Sequence, residues 1–466
     1  MKSYHVLIFI ACVMACLGAL CWVLPKRVVL CDHVVKWPTF AEVMGTEETA
    51  MERDTIAITE VEIAEETTHT TQTPTDKKEG TKAIDIPDVP LSSGDHHSHL
   101  SAFYQSLAHT SQRRVRVVHY GDSQIEEDRM SSQIREVLQE RFGGTGVGLM
   151  PLAQTIPSRS VKQTLLMNGK IISPQILYRN IVYGPKRMQR EDGLYGVMGQ
   201  VAFMNDSIVA GSEQLTAICT PIDKRPRYTQ VKLFADTSIT YEQIGDTLHL
   251  QGKGAVYGIS QESATGVIVD NIPMRGCLGL VFNKIDSTQL THFYRNENVT
   301  LIIMQFGGNA IPFNEKPSTI QSIVRGLRQQ VRYVQSCAPH ASILFIGPSD
   351  MLTTIDGVEQ SYPMVSYMDR LLNKMAQEEH IAYFSLFQWM GGNGSMARWK
   401  EIGLAGSDGI HFMRSGARKA GNAVAEWILE GLTNEGVKEL RDEGVKELRD
   451  EGVKELRDQG VKEGVE

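Results

Sequence analysis

Cysteine is scarce where it could matter. The chain has 7 cysteines in 466 residues, and Cys12, Cys16, Cys21 and Cys31 lie in or beside an N-terminal apolar stretch. Cys219, Cys277 and Cys337 are widely spaced and form no C-x-x-C pair, so neither a disulfide framework nor a zinc site is implied. Basic excess is missing too. A formal net charge of -8 argues against a nucleic-acid partner, which shows itself as a basic surface. Long apolar runs are limited to one, Val6 to Leu24, nineteen residues without a charge, flanked by Lys2, Lys26 and Arg27. That length spans a bilayer, so residues 1–30 are expected to be a membrane anchor or signal. An uncleaved anchor is the preferred reading. Val13-Met-Ala-Cys16 resembles a lipoprotein cleavage site, which makes a lipidated or removed signal the alternative. With no second spanning segment, the body is expected outside the cytoplasm.

What is present falls into blocks. Residues 31–98 are expected to be a disordered linker, because Thr46 to Lys82 is rich in Thr and Glu and lacks hydrophobic period. His96, His97 and His99 follow it. They lack carboxylate or cysteine companions at ligand spacing, so they read as loop histidines rather than a metal site. Residues 155–262 change texture to short β-branched or aromatic runs, such as Tyr228 to Ala235 and Thr247 to Leu250, separated by turn residues. They read as an inserted β-sandwich-like module. Residues 99–154 and 263–432 alternate strands with helices, which predicts a parallel sheet with helices on both faces. The predicted strands are Val115–Val118, Val267–Asp270, Val299–Gln305, Ser342–Ile346 and Ile381–Phe387, and the predicted helices Ile320–Val334, Val365–Met375 and Ala417–Leu429. Residues 433–466 are a low-complexity tail with three copies of Glu-Gly-Val-Lys-Glu-Leu-Arg-Asp. Eight residues turn a helix by about 800°, so no stable apolar stripe forms.

The chemistry gathers at predicted strand ends. Ser123 follows the first strand behind a Gly-Asp turn, ahead of Met130, Ile134, Leu138 and Phe142 at helical spacing. Glu126, Glu127 and Asp128 then lie where a helix dipole favours negative charge. Gly276 lies in the loop after the second predicted strand, Gly307-Gly-Asn309 follows Gln305, and Ser407-Asp408-Gly-Ile-His411 precedes the last helix. In a parallel sheet these loops open at one edge. A serine hydroxyl needs a base to become a nucleophile, and His411 can supply it with Asp408 aiming its ring. The Ser123 and Gly276 N–H groups and the Asn309 amide can serve as oxyanion donors. Asp122 is expected to brace the turn, and Arg159 and Arg275 to be solvated surface residues rather than contacts for an anionic substrate.

Gly121-Asp-Ser-Gln124, Gly276, Gly307-Gly-Asn309 and Asp408-Gly-Ile-His411 resemble the four ordered blocks of the SGNH (GDSL) hydrolase superfamily. The resemblance covers about 99–154 and 263–432. It implies a flavodoxin-like three-layer α/β/α fold, interrupted here by the β module. It also implies a serine esterase or acylhydrolase, and nothing in the sequence indicates a metal or organic cofactor. Ser123, Asp408 and His411 take the catalytic places, and Ser123, Gly276 and Asn309 the oxyanion places. Gln124 stands where the family has Leu. Ala310 stands where the third block has Asp, which removes a supporting carboxylate. Gly279 is a neighbouring candidate for the second block.

An export segment, a tether and an inserted β module resemble bacterial envelope enzymes that remove O-acetyl groups from polysaccharides. The expected substrate is an acylated glycan or small ester. The expected location is the cell envelope, anchored to the inner membrane with the body in the periplasm, or exported. A polysaccharide O-acyltransferase on the same triad and a non-catalytic glycan-binding protein are the alternatives. Neither the acyl group nor the oligomeric state is legible.

Overall fold

The computed structural model describes residues 96–182, 190–204, 215–222 and 228–432, together with 27–30, 33–36, 87 and 89. The segment Val6–Leu24, the Thr/Glu-rich stretch 46–82 and the tail repeats lie outside the described residues. Among the described residues no helix is long and apolar enough to cross a membrane. In the N-terminal unit, residues 1–76, the backbone of Arg27–Leu30 pairs antiparallel with His33–Lys36.

The second unit is built on five parallel strands: β1 (Arg114–Gly121), β2 (Gly266–Pro273), β3 (Val299–Gln305), β4 (Ser342–Ile346) and β5 (Ala382–Phe384). Their spatial order is β2-β1-β3-β4-β5. Every residue of β3 and β4 is buried, as strands covered on both faces require. On one face Val115, Val117, Val267, Leu301 and Leu344 pack under α1 (Ser101–Leu107), α2 (Ser131–Phe142) and the last helix of the described body. On the other, Val118, Tyr120, Ile302, Met304 and Phe345 pack under α3 (Ser287–Asn296), α4 (Pro317–Cys337) and α5 (Met364–Glu378). The last helix is α6 (Arg414–Glu430). The result is three layers in flavodoxin-like order, with the crevice at the strands' C-terminal ends.

Two corrections concern local chemistry. The strand expected over Ile381–Phe387 ends at Phe384, because Ser385 Oγ accepts from Gln388 N at 3.0 Å and caps a short helix, Leu386–Met390. The segment after β1 does not run into a helix. Ser123–Asp128 is a 3₁₀ turn broken at Glu126 (ψ 160°) and Glu127 (φ 60°), and α2 begins only at Ser131.

Between α2 and β2 the chain forms two five-stranded antiparallel sheets. One contains Gln230–Ala235, Gly254–Glu262, Gln200–Met204 and Tyr178–Asn180, with Gly148–Met150 added on Gly254–Glu262, so this sheet begins ahead of residue 155. The other contains Thr240–Ile244, Thr247–Gln251, Leu215–Pro221, Val161–Met167 and Lys170–Ile171. Val161, Leu165, Ala217 and Leu248 of one sheet and Ala202, Val231, Val256 and Ile259 of the other share one core, as in a sandwich. A buried polar joint ties it to the parallel sheet. Arg116 on β1 donates to Asp270 on β2 at 3.0 and 3.1 Å and pairs with Glu262, while Leu149 N donates to Asp270 Oδ1 at 2.7 Å.

Candidate active site

Four loops at the C-terminal edge of the sheet converge on Ser123. Its hydroxyl, on a residue only 8% exposed, lies 2.8 Å from His411 Nε2. His411 Nδ1 lies 2.8 Å from Asp408 Oδ2. An ionised carboxylate only accepts, so the proton belongs on Nδ1 and Nε2 is left to accept from Ser123. Asp408 Oδ1 accepts from the N–H groups of Ile410 and His411, both at 3.0 Å. Partial burial would raise the Asp408 carboxyl. The bond from His411 and these two amides outweigh it and hold the group well below the usual carboxylate range. Asp408 therefore stays charged beside the ring, as a partner for a developing imidazolium must.

The His411 loop is set by its neighbours. Gly406 N donates to His411 O at 2.7 Å and Leu352 N to Gly409 O at 2.9 Å. Gln124 Nε2 donates to Ile410 O at 2.7 Å, fastening the residue after Ser123 to the residue before His411. Gln124 thus has a use that the resemblance alone did not suggest.

The expected oxyanion donors are placed as follows. The Ser123 and Gly276 N–H groups have no hydrogen-bond partner among the described residues. Gly276 has φ +67°, with nothing within 4 Å of where a Cβ would stand. Gly279 is packed instead, since a Cβ there would meet Phe306 Cγ at 2.7 Å. Asn309 Nδ2 donates to Asp122 Oδ2 at 3.0 Å and to Cys277 O at 3.3 Å. Both amide hydrogens are engaged, the one towards Cys277 O by a long bond, so a developing oxyanion would share that hydrogen with Cys277 O. The expected loss of a supporting carboxylate at Ala310 is corrected: Asp122 supplies it. Asp122 Oδ1 also accepts from Gln124 N at 2.9 Å. Burial pushes the Asp122 carboxyl up to about 6, against the Gln124 amide and the His411 charge.

The arginines expected to be solvated are paired. Arg275 donates to Glu126 at 2.6 and 2.9 Å, and Arg159 Nε to Glu127 Oε2 at 2.8 Å. Asp128 accepts from Arg135 at 2.6 Å. The acidic run after Ser123 is thus a set of ion pairs rather than dipole charge. Asp122 braces the turn as expected, through Gln124 N, while sequence reasoning missed these pairs, the role of Gln124 and the hold of Asp122 on Asn309. The alternation of acids in 126–128 with distant arginines carries no spacing signal. Cys277, beside Gly276, is no rival nucleophile, since burial pushes its thiol up to about 12.

A cleft of about 610 Å³ lies between α2, the N-terminal part of α6 and the sandwich. Arg129, Arg159, Tyr228, Arg414 and Arg418 are among its lining residues, and Ser123 and His411 are not. His97 stacks on Trp427 with ring centroids 4.3 Å apart, within a 3₁₀ turn at His97–Leu100. Among the described residues no group of three or more His, Cys, Asp or Glu is arranged to hold a metal ion.

No protein-family model and no curated protein matches the sequence. Solved structures do match. A peptidoglycan O-acetylesterase superposes with a TM-score of 0.56 at 20% identity, covering 71% of this chain and 95% of that one. An acetyl xylan esterase matches with a TM-score of 0.25 at 11% identity, over 34% of this chain and 80% of that chain. The periplasmic domain of a lipopolysaccharide acetyltransferase from Salmonella ser. Paratyphi A matches with 0.24 at 12%, over 35% and 72%. The strand order, the extent of the first match and the two added antiparallel sheets give the conclusion that this chain has a flavodoxin-like α/β/α fold similar to that of the peptidoglycan O-acetylesterase structure, carrying an extra β module.

Proposed function

We propose that this chain is a serine esterase that hydrolyses an acyl ester, with an O-acetylated envelope polysaccharide as substrate. The observation that carries the reading is the relay Ser123–His411–Asp408, 2.8 Å at each step, at the C-terminal edge of a parallel sheet. Ser123 Oγ attacks the ester carbonyl carbon while its proton passes to His411 Nε2. Asp408 stabilises the imidazolium. The carbonyl oxygen becomes an oxyanion held by the Ser123 and Gly276 N–H groups and the Asn309 amide. Collapse breaks the bond to the sugar oxygen, which takes the proton from His411. Water, deprotonated by His411, then releases the acid and restores Ser123.

The polysaccharide substrate is supported by the match to a peptidoglycan O-acetylesterase and by a sandwich inserted in the chain between the segments of Ser123 and Gly276. The location proposed with it is the cell envelope, with Val6–Leu24 as anchor and the body in the periplasm, or exported.

The test uses the full chain. Wild type should release 4-nitrophenol from 4-nitrophenyl acetate and acetate from O-acetylated peptidoglycan. Ser123→Ala should lose turnover by at least about 10³-fold and lose labelling by a fluorophosphonate. Equal turnover by that variant would end the reading. Acetate release from acetylated xylan but not peptidoglycan would move the substrate.

A further inference from the structure

The residues on either side of Ser123 are bound to the residues on either side of Gly276. On one side, Asp122 Oδ2 accepts from Asn309 Nδ2, and the same amide donates to Cys277 O. On the other, Arg275 Nε and Nη2 donate to the two oxygens of Glu126. The chain runs 122–126 through Ser123 and 275–277 through Gly276, so the contacts close a ring. The only two main-chain donors the proposed reaction uses lie inside it, and neither has a partner among the described residues. We propose that Glu126 and Arg275 are positioning residues: their fork closes the ring and holds the Ser123 and Gly276 N–H groups at the spacing that receives an oxyanion. The inference rests on the esterase reading above.

Three physical points support it. The Glu126 carboxylate is nearly buried, with 4% of its side chain exposed, so Arg275 satisfies a charge that water does not reach. A two-pronged guanidinium–carboxylate bond fixes direction as well as distance. The backbone beyond Glu126 takes an unfavoured path, with φ 60° at both Glu127 and Asp128. Such a path persists only where its surroundings hold it, and here Arg129, Arg135, Arg159 and Arg275 do so. At 36% side-chain exposure, Arg275 could instead reach for an anionic substrate, and that is the competing role.

The experiment measures kcat and KM on 4-nitrophenyl acetate, a neutral ester, and on mono-4-nitrophenyl succinate, an anionic one, for wild type, Ser123→Ala, Arg275→Ala, Arg275→Lys, Glu126→Gln and Arg275→Ala with Glu126→Gln. Arg275→Ala and Glu126→Gln should each lower kcat about 10- to 100-fold with KM within about threefold, since a displaced donor costs about 10²–10³ at most. The double variant should be no worse than either single one, because both break one contact. Lysine should recover part of the rate, lacking the fork but keeping the charge. Near-ultraviolet circular dichroism selects the folded variants. A folded Arg275 or Glu126 variant within twofold of wild-type kcat would overturn the inference. So would a loss seen only as a raised KM, on an anionic ester alone, which would make Arg275 a substrate contact. Turnover that ignores Ser123→Ala overturns the esterase reading itself, whereas Ser123-dependent turnover that ignores the fork overturns only the ring.

Discussion

The Asn309 side-chain amide donates to the Asp122 carboxylate at 3.0 Å, from a loop 187 residues further along the chain. The residue before the candidate nucleophile therefore holds the candidate oxyanion donor. A departure that reads as a loss, Ala310 in the third block, is made good by a carboxylate from the first. Asp122 is buried, and its two acceptor atoms are each used, by Gln124 N and Asn309 Nδ2.

Replacing Asp122 by Asn should therefore misplace Asn309. One oxygen becomes an NH2 group, and where it faces the Asn309 amide a donor meets a donor. We expect kcat on 4-nitrophenyl acetate to fall by about 10²-fold, the size of one lost oxyanion donor. An unchanged kcat would show that Asn309 is positioned without Asp122.

Gly276 and Gly279 should separate function from packing. Gly276→Ala introduces a side chain at φ +67° with open space around it, so it should cost about 1–2 kcal/mol in stability and lower kcat by moving the amide. Gly279→Ala drives a methyl into Phe306 and Leu327 at φ +84° and should cost about 3 kcal/mol or more, from strain and overpacking together. Urea denaturation of both variants checks the order. Equal stability losses would contradict it.

His119 gives a pH prediction. It is fully buried between Gln305 Oε1 at 3.1 Å and Ser131 Oγ at 2.8 Å. Burial pushes its imidazole down to about 4, with the Arg135 charge adding to the effect and the Gln305 bond opposing it. A folded value below the unfolded one of about 6.5 means the unfolded chain binds the proton first. The stability His119 contributes is present above about 6.5 and lost as pH falls through 4, by about 3 kcal/mol in all. Asp122 has the opposite sign. Its raised value makes its contribution largest below the usual carboxylate value and lost as pH rises through about 6. The two offset one another in the wild type. In His119→Gln only the second remains, so between pH 6.5 and 4 the variant should gain stability relative to wild type. Urea midpoints at both pH values measure this, and a constant difference would refute it.

Arg116 should be the costliest single charge to remove. Its side chain is fully buried with those of Asp270 and Glu262, and it joins β1 to β2 and to the sandwich. Arg116→Met removes the cation paired with the buried Asp270 and one of the three that reach Glu262, so we expect a loss of about 3–5 kcal/mol by urea denaturation. A loss under about 1 kcal/mol would show that Arg114 and Lys232, which also reach Glu262, suffice for the joint.

Val299–Gln305 and Ser342–Ile346 were legible to the residue, because a strand buried on both faces writes itself as an unbroken apolar run. Ile381–Phe387 was not, because the apolar run continues past Ser385 and only the cap at Gln388 N shows where the strand gives way. Ser123, Gly276, Asn309, Asp408 and His411 could be picked out because each lies where a strand or loop signal ends, and that signal is local.

Local periodicity and turn chemistry by themselves determined the layered α/β architecture, the β insertion and which loops crowd one sheet edge. Burial pattern and dihedral preference act between near neighbours, so a linear chain records them. Tertiary structure alone decided that Asp122 holds Asn309, that Gln124 ties down the His411 loop and that Arg275 locks onto Glu126. Those are contacts between groups up to 286 positions apart, chosen by distance and desolvation in the folded state, and no spacing along the chain encodes them.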